Sequence, residues 1–293
     1  MSTAQLNAGT LERSIERRGW GEMLWSCLVW AVMTFFLMNV AGVIASVFVN
    51  SFATRWFGTW LPPGFTTRWY ASAWDEFQLG DVLTVTLEIV FVVVAVSVLF
   101  GVPAAYALAR KEFPGKRLVL LLFLLPLLVP PITYGIPLAT VLYRFALGGT
   151  MTGVILANLV PSVPFVVLVM TPFIEQIDPR LEQAARVFGA GTFRVFAYVL
   201  VPLLAPGMLA AGLLVLVRAF ALFELTFLTA GPDSQTLVVA LYYSVFAAGV
   251  RAGQSVDAMA VTYMVTMLVW LLMALRFVNP TQLVTRVKEQ PRT

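Results

Sequence analysis

The sequence predicts an all-α membrane protein with six transmembrane helices and both termini in the cytoplasm. Three observations lead to this fold class: the composition, the length of the apolar segments and the placement of positive charge. Hydrophobic residues fill 60% of the 293 positions and charged residues only 12%, whereas soluble domains carry about 25% charged residues. We therefore expect lipid to be the main solvent of this chain.

Six apolar segments are long enough to cross a bilayer, which takes about 20 residues per helix. The first is too long for the core of a signal peptide and no small-residue cleavage site follows it, so we expect it to be retained. The segments define a membrane domain over 23–275, between an N-terminal tail (1–22) and a C-terminal tail (276–293). They run over 23–49, 82–108, 118–143, 153–174, 203–229 and 256–275.

Positive charge sets the expected orientation. With the N-terminus placed inside, fourteen of the nineteen Lys and Arg residues fall in cytoplasmic segments, four fall outside and Arg218 lies within a span. Cytoplasmic loops carry such an excess of Lys and Arg. The tails and the 175–202 loop are therefore predicted to be cytoplasmic, and the net charge of +4 reflects membrane topology rather than nucleic-acid binding.

Four prolines interrupt the third segment: Pro126, Pro130, Pro131 and Pro137. Proline removes an amide donor and clashes with the preceding turn. A segment of this kind packs against protein or lines a wet cavity, because lipid cannot satisfy the freed carbonyls. Proline is also common in membrane helices in general, so a pathway-lining role is one of two interpretations.

Several kinds of chemistry are excluded. The chain has no His and a single Cys, Cys27, which argues against a metal site or a catalytic site built on these residues. The nearest fragment to a P-loop, at 114–117, lacks the first Gly and the Ser or Thr. We therefore predict no enzyme and no bound cofactor, and any ATP-driven role needs another subunit.

The 175–202 loop has an ordered local pattern. Asp178 and Pro179 suit a helix start, and Gly189 can take the positive φ that ends a helix. A second helix is expected near Thr192, and Pro202 lies where the chain re-enters the membrane. An ordinary cytoplasmic helical hairpin would show the same features.

The residues of this loop also suit contact with a partner. Ala184, Ala185 and Ala190 are small enough for another surface to approach closely, and Arg186 and Arg194 offer charge at the rim.

The loop resembles the EAA loop of inner-membrane permeases of binding-protein-dependent, type I ABC importers. Gln183 stands where the family has its leading Glu, with Glu182 one residue earlier, and Val201 stands where the family has Leu. The departure at Gln183 puts in question any salt bridge made from that position. The positions that match the spacing are Gln183, Ala184, Ala185, Gly189, Val199, Val201 and Pro202.

Further motifs extend the resemblance over about residues 70–275. They are Ala105–Arg110 followed by Phe113–Lys116, the Pro161–Phe165 stretch, and Gly231–Pro232. Together they are most similar to permeases of the spermidine/putrescine type.

The resemblance implies a set of partners. Two permeases, here expected to be paralogues in a heterodimer, pair around a pathway above two P-loop ATPase subunits, which bind ATP and Mg. A periplasmic binding protein delivers the solute to the bacterial inner membrane, and transport proceeds by alternating access. The residues that the resemblance assigns to ATPase coupling are Glu182, Gln183, Ala184, Ala185, Arg186, Gly189 and Pro202.

Charged side chains inside the spans are the candidate substrate pathway. Glu88, Arg218 and Glu224 lie within predicted spans, where unpaired charge costs at least a few kcal/mol, and Phe223 adjoins Glu224. On one helix Arg218 and Glu224 would lie about 240° apart and could not pair. Each charge therefore needs another partner: a neighbouring helix, the second permease, water or substrate.

The nature of the solute stays open at this stage. A polyamine-like solute is favoured, with an opine, an aminophosphonate, ferric iron or another small organic solute as alternatives. A secondary carrier and an intramembrane enzyme are the competing classes. No internal repeat is evident, which disfavours a carrier built from two related halves.

Overall fold

The computed structural model describes residues 20–246 and 252–277, and in these ranges it consists of helices, connecting loops and one isolated β-bridge. The chain divides into two units, Met1–Thr66 and Thr67–Thr293. Most of the two predicted tails lies outside the described residues.

The first unit contains one long helix, α1, over Trp20–Phe52. It is apolar around its whole circumference, as expected of a membrane span. After the helix the chain folds back on itself: the Thr66 N–H donates to the Phe52 carbonyl at 2.6 Å, and Ala53 pairs with Phe65 in an antiparallel bridge. This fold-back ends α1 in a closed loop rather than in an extended linker.

The second unit contains the remaining helices. Of the described helices, five are long and apolar enough to span a membrane: α1 and the helices Leu79–Arg110, Met151–Glu175, Thr192–Ala221 and Gly253–Phe277. The bounds are α2 Arg68–Glu76, α3 Leu79–Arg110, α4 Lys116–Leu128, α5 Pro131–Arg144, α6 Met151–Glu175, α7 Pro179–Val187, α8 Thr192–Ala221, α9 Phe223–Thr229, α10 Leu237–Phe246 and α11 Gly253–Phe277.

Helices α3, α6 and α8 form the core of this unit. Their facing side chains, among them Val93, Met170 and Phe220, are fully buried. Gly101 lets α3 approach α6 closely, because a Cβ at this position would lie 2.7 Å from the side chain of Val166. The absence of a side chain at Gly101 thus sets the distance between the two helices.

Buried polar side chains attach the short helices α9 and α10 to this core. Thr86 of α3 accepts a hydrogen bond from the Leu237 N–H at 2.8 Å. The Asn158 side-chain amide of α6 donates to the Thr226 hydroxyl at 3.2 Å. Buried polar groups are costly unless they are paired, so these contacts fix the positions of α9 and α10.

The third predicted span is broken. Helices α4 and α5 meet at an angle of 102°, so the pair is either one bent span or a re-entrant segment. Val129 is extended, with ψ of 134°, because the residue before a proline is disfavoured in helical geometry. Within the described residues the count of spans is six if the pair crosses the membrane, and five otherwise.

The fifth predicted span, 203–229, is not one continuous helix, because the chain breaks at Leu222. Helix α8 begins earlier, at Thr192, and stays continuous to Ala221. It contains a π-helical turn over Phe196–Leu200, where the Val201 N–H bonds to the Phe196 carbonyl. This wider turn directly precedes Pro202, whose ring and missing N–H do not fit a regular turn.

The outer part of the predicted fifth span is a separate helix, α9, because the chain is extended at Leu222. The break frees carbonyl groups at the end of α8, and the Tyr263 hydroxyl of α11 donates to the Phe220 carbonyl at 3.2 Å. The break is stabilised by a residue distant in sequence, which explains why the local sequence did not indicate it.

Candidate functional site

The helix–glycine–helix structure predicted for the 175–202 loop is confirmed. The Asp178 carboxylate accepts a hydrogen bond from the Arg180 N–H at 2.9 Å, and Pro179 opens α7. Gly189 has φ of 82° and ends the helical turn, and the second helix begins at Thr192. The sequence predicts this geometry because the Asp178 cap, Pro179 and Gly189 each act on neighbouring residues.

The outward side of the loop carries exposed apolar side chains. Val187 is 84% exposed, Phe188 90% and Phe193 79%, and Ala184 is exposed on the same helix as Val187. We call these four residues the exposed loop patch. An exposed apolar patch in a polar loop is a candidate surface for contact with another protein. Gln183, Arg186 and Gly189 are exposed alongside it.

Glu182 has a different environment, because its side chain points inward and the residue as a whole is only 7% exposed. Its carboxylate accepts hydrogen bonds from the Tyr106 hydroxyl at 2.7 Å and from the Arg110 Nε at 2.9 Å. Arg110 also donates to the Ile177 carbonyl. The carboxylate therefore holds α7 from within and is not part of the outward surface.

Two further predicted residues are placed by the structure. Ala185 is partly buried against the core, so it supports α7 from inside while Ala184 faces outward. Pro202 lies within continuous α8 rather than at a helix start. Tyr106 and Arg110 belong to the Ala105–Arg110 motif, and the sequence did not indicate that they contact the loop. Their i, i+4 spacing puts both side chains on the same face of α3. This spacing is the signal from which a shared contact could have been predicted.

Among the charged residues predicted within the spans, Arg218 contacts an aromatic ring. Arg218 of α8 is exposed, and its guanidinium lies 4.6 Å from the centre of the Phe165 ring, a cation–π contact. No ion pair joins Arg218 to Glu224 in the part of the chain that the structure describes.

The rotation of about 240° expected between Arg218 and Glu224 on one helix does not apply, since the break at Leu222 puts them on different helices. Glu88 is exposed on α3. The four candidate pathway residues thus lie on three described helices: Glu88 on α3, Arg218 on α8, and Phe223 and Glu224 on α9.

Phe223 begins a row of aromatic rings that the sequence did not indicate. Its ring centre lies 5.1 Å from that of Phe227 and 4.9 Å from that of Tyr242. Tyr242 in turn lies 4.4 Å from Phe246, and Tyr243 lies 5.7 Å from Phe227. The row joins α9 to α10 next to Glu224, so ring faces and a carboxylate share one region.

A family model described as "Binding-protein-dependent transport system inner membrane component" matches residues 97–288. The chain belongs to this family of ABC importer permeases. The match includes α6, α7, α8 and the whole 175–202 loop, so the residues that carried the resemblance lie inside it. A secondary carrier and an intramembrane enzyme are not supported by this membership.

Individual relatives of this permease differ in their solutes. It is 30% identical to the diacetylchitobiose uptake system permease NgcG of Streptomyces coelicolor, over 65% of this chain and 61% of that protein, so it spans less than two thirds of that relative. It is 31% identical to the trehalose transport permease SugB of Mycobacterium tuberculosis, over 67% of this chain and 71% of that protein. It is 32% identical to the molybdenum transport permease ModB of Escherichia coli, over 57% of this chain and 80% of that protein.

A solved structure has the same fold as the permease. A bacterial ABC transporter involved in the import of the acidic polysaccharide alginate superimposes with a TM-score of 0.74, covering 89% of this chain and 99% of that chain at 17% identity. At this identity the similarity establishes the fold alone. The expected similarity to spermidine/putrescine permeases is not supported, because these relatives belong to sugar and molybdenum systems.

Proposed function

We propose that this permease pairs with a second permease subunit and carries a small solute across a bacterial inner membrane, driven by ATP hydrolysis on partner subunits. The observation that carries the proposal is the 175–202 loop. It presents an exposed apolar patch on a helix whose inner side is fixed to the membrane core. A partner that binds this patch and displaces α7 would also displace the helices to which α7 is attached.

The exposed loop patch is the proposed docking surface for an ATPase subunit. ATP binding can shift a two-state equilibrium only through contacts that differ between the two states. The patch provides contacts outside the membrane, and the buried side of α7 connects them to α3. The ATPase binds ATP and Mg, whereas the permease binds neither.

The solute is proposed to be a sugar or a sugar derivative. The relatives include diacetylchitobiose and trehalose permeases, and the aromatic row at α9 and α10 lies beside Glu224. Ring faces pack against the apolar faces of sugar rings, and a carboxylate accepts hydrogen bonds from sugar hydroxyls. A periplasmic binding protein delivers the solute, and a paralogous second permease completes the pathway.

An oxyanion is the second candidate, supported by Arg218 and by the molybdenum permease among the relatives. An exposed guanidinium within an apolar helix is suited to bind an oxyanion. Uptake of radiolabelled trehalose and of molybdate into membrane vesicles that contain the complete transporter separates the two. Uptake of molybdate alone would refute the sugar proposal.

Substitutions in the exposed loop patch test the docking proposal. We expect Ala184→Glu and Phe188→Ser to leave the permease inserted but to prevent the ATPase subunit from co-purifying with it. A charge or a polar group replaces apolar contact area in the proposed interface, while the buried side of α7 stays intact. The measurement is the ratio of ATPase to permease after purification in detergent.

Phe145→Ser is the matched control, since Phe145 just after α5 is also an exposed phenylalanine, at 74% against 90% for Phe188. The control should retain the ATPase. Retention of the ATPase by both loop variants at the level of the control would refute docking at this patch.

A further inference from the structure

One end of α3 contacts three points of the 175–202 loop. Arg110 binds the Ile177 carbonyl before α7, and Tyr106 and Arg110 both bind Glu182 on α7. The Tyr106 ring also packs edge-on against Phe196 in the π-helical turn of α8, with ring centres 5.6 Å apart. The entry, the helix and the exit of the loop are thus attached to one membrane helix.

The three side chains at the centre of this arrangement, Tyr106, Arg110 and Glu182, are all largely buried, and we call them the α3 clamp. The side chain of Arg110 is 14% exposed and that of Glu182 10%. A buried ion pair adds little net stability, but removing one partner leaves a buried charge unpaired and is costly. The clamp therefore penalises any movement of α7 away from α3.

Helix α3 also connects the α3 clamp to the buried core of the second unit. Past Tyr106, α3 continues to Gly101, where it lies closely against Val166 of α6, and on into the buried core at Val93. A movement of the last turns of α3 is therefore transmitted to α6 through close contacts, since packed interiors shift between discrete arrangements rather than deforming gradually.

We propose that the α3 clamp makes α7 and α3 move as one rigid body, so that a displacement of α7 by an ATPase reaches the transmembrane core through α3. Tyr106, Arg110 and Glu182 are positioning residues in this proposal. It rests on the proposed function for the docking of the ATPase, but the rigid connection itself is a property of the permease alone.

The first test measures the connection in the permease alone. Spin labels at Lys111→Cys and Gln183→Cys, both exposed positions, report the separation of α3 and α7 in nanodiscs after the only native cysteine is removed by Cys27→Ser. We expect one narrow distance distribution, which Glu182→Gln broadens. Tyr106→Phe keeps the ring contact with Phe196 and should broaden it less, which provides a variant that folds if Glu182→Gln does not.

The second test measures coupling in the complete transporter. We expect Glu182→Gln to lower the stimulation of MgATP hydrolysis by the loaded binding protein by about tenfold, within the range of allosteric coupling, while the ATPase still co-purifies. The double variant Tyr106→Phe/Glu182→Gln should be no worse than Glu182→Gln. Glu112→Gln is the control, because it breaks an ion pair with Lys116 in which Glu112 is 89% exposed and no loop residue takes part.

The outcomes separate the two proposals. An unchanged distance distribution in Glu182→Gln overturns the clamp, as does a broadened distribution with unchanged stimulation, which would make the cluster merely structural. A wild-type complex without any stimulation refutes the proposed function, whatever the distances show.

Discussion

Two glycines of the 175–202 loop show how a single residue can determine local structure. Gly189 has φ of 82° and Gly191 has φ of −70°, and an added Cβ would meet nothing within 4 Å at either position. The two positions therefore differ in backbone conformation and not in available space. Only Gly189 needs the conformational freedom that glycine has.

We expect Gly189→Ser to destabilise the end of α7 and Gly191→Ser to have little effect. A side chain at positive φ costs about 1 kcal/mol or more, whereas serine suits the position of Gly191 before a helix. Binding-protein-stimulated ATPase activity of the reconstituted transporter measures the difference. Equal activity of the two variants would contradict a requirement for the turn at Gly189.

At the scale of the element, the main finding is that α8 and α9 are separate helices. No Gly or Pro stands at the break, and Leu222 is an ordinary helix former. The break is accompanied by a hydrogen bond from the Tyr263 hydroxyl to the Phe220 carbonyl, and α9 is bound to α6 through Asn158 and Thr226. Tertiary contacts thus outweigh the helical propensity of the local sequence.

Tyr263→Phe tests this account of the break. Loss of the hydroxyl leaves the Phe220 carbonyl without its donor, and we expect the permease to lose about 1 kcal/mol of stability. Thermal unfolding in detergent would show a lower midpoint for the variant. Tyr198→Phe, which removes a hydroxyl from an exposed ring on α8, should leave the midpoint unchanged.

At the scale of the whole molecule, the orientation in the membrane follows from charge counting and stays a prediction. The bend of 102° between α4 and α5 makes the membrane topology worth testing, because a re-entrant pair would change the number of times that the chain crosses the membrane. With the N-terminus inside, a pair that crosses the membrane puts Phe145 outside and Gln183 inside, whereas a re-entrant pair exchanges the two sides, because only α6 lies between these residues.

Cysteine labelling decides the orientation, since Cys27 is the only cysteine and Cys27→Ser gives a clean background. We expect a membrane-impermeant maleimide to label Phe145→Cys in intact cells and Gln183→Cys only in inverted vesicles. Labelling of Gln183→Cys in intact cells and of Phe145→Cys only in inverted vesicles would contradict the six-span topology and indicate a re-entrant pair.

The amino-acid sequence alone predicts the membrane fold class, the spans that form α1, α3, α6 and α11, and the geometry of the 175–202 loop. These features depend on signals carried by neighbouring residues: the length of apolar runs, the Asp178 cap, the proline at the start of α7 and the glycine at its end. Their physics is local, so a single sequence contains it.

The burial of one side of the loop and the end of α8 at Ala221 become visible only in the folded chain. Glu182 stands beside Gln183 in the sequence, yet it is buried against Tyr106 and Arg110, which lie more than seventy residues away. The break at Leu222 likewise depends on Tyr263 from another helix. The physical reason is the same in both cases: a buried polar group takes its partner from whichever element packs against it.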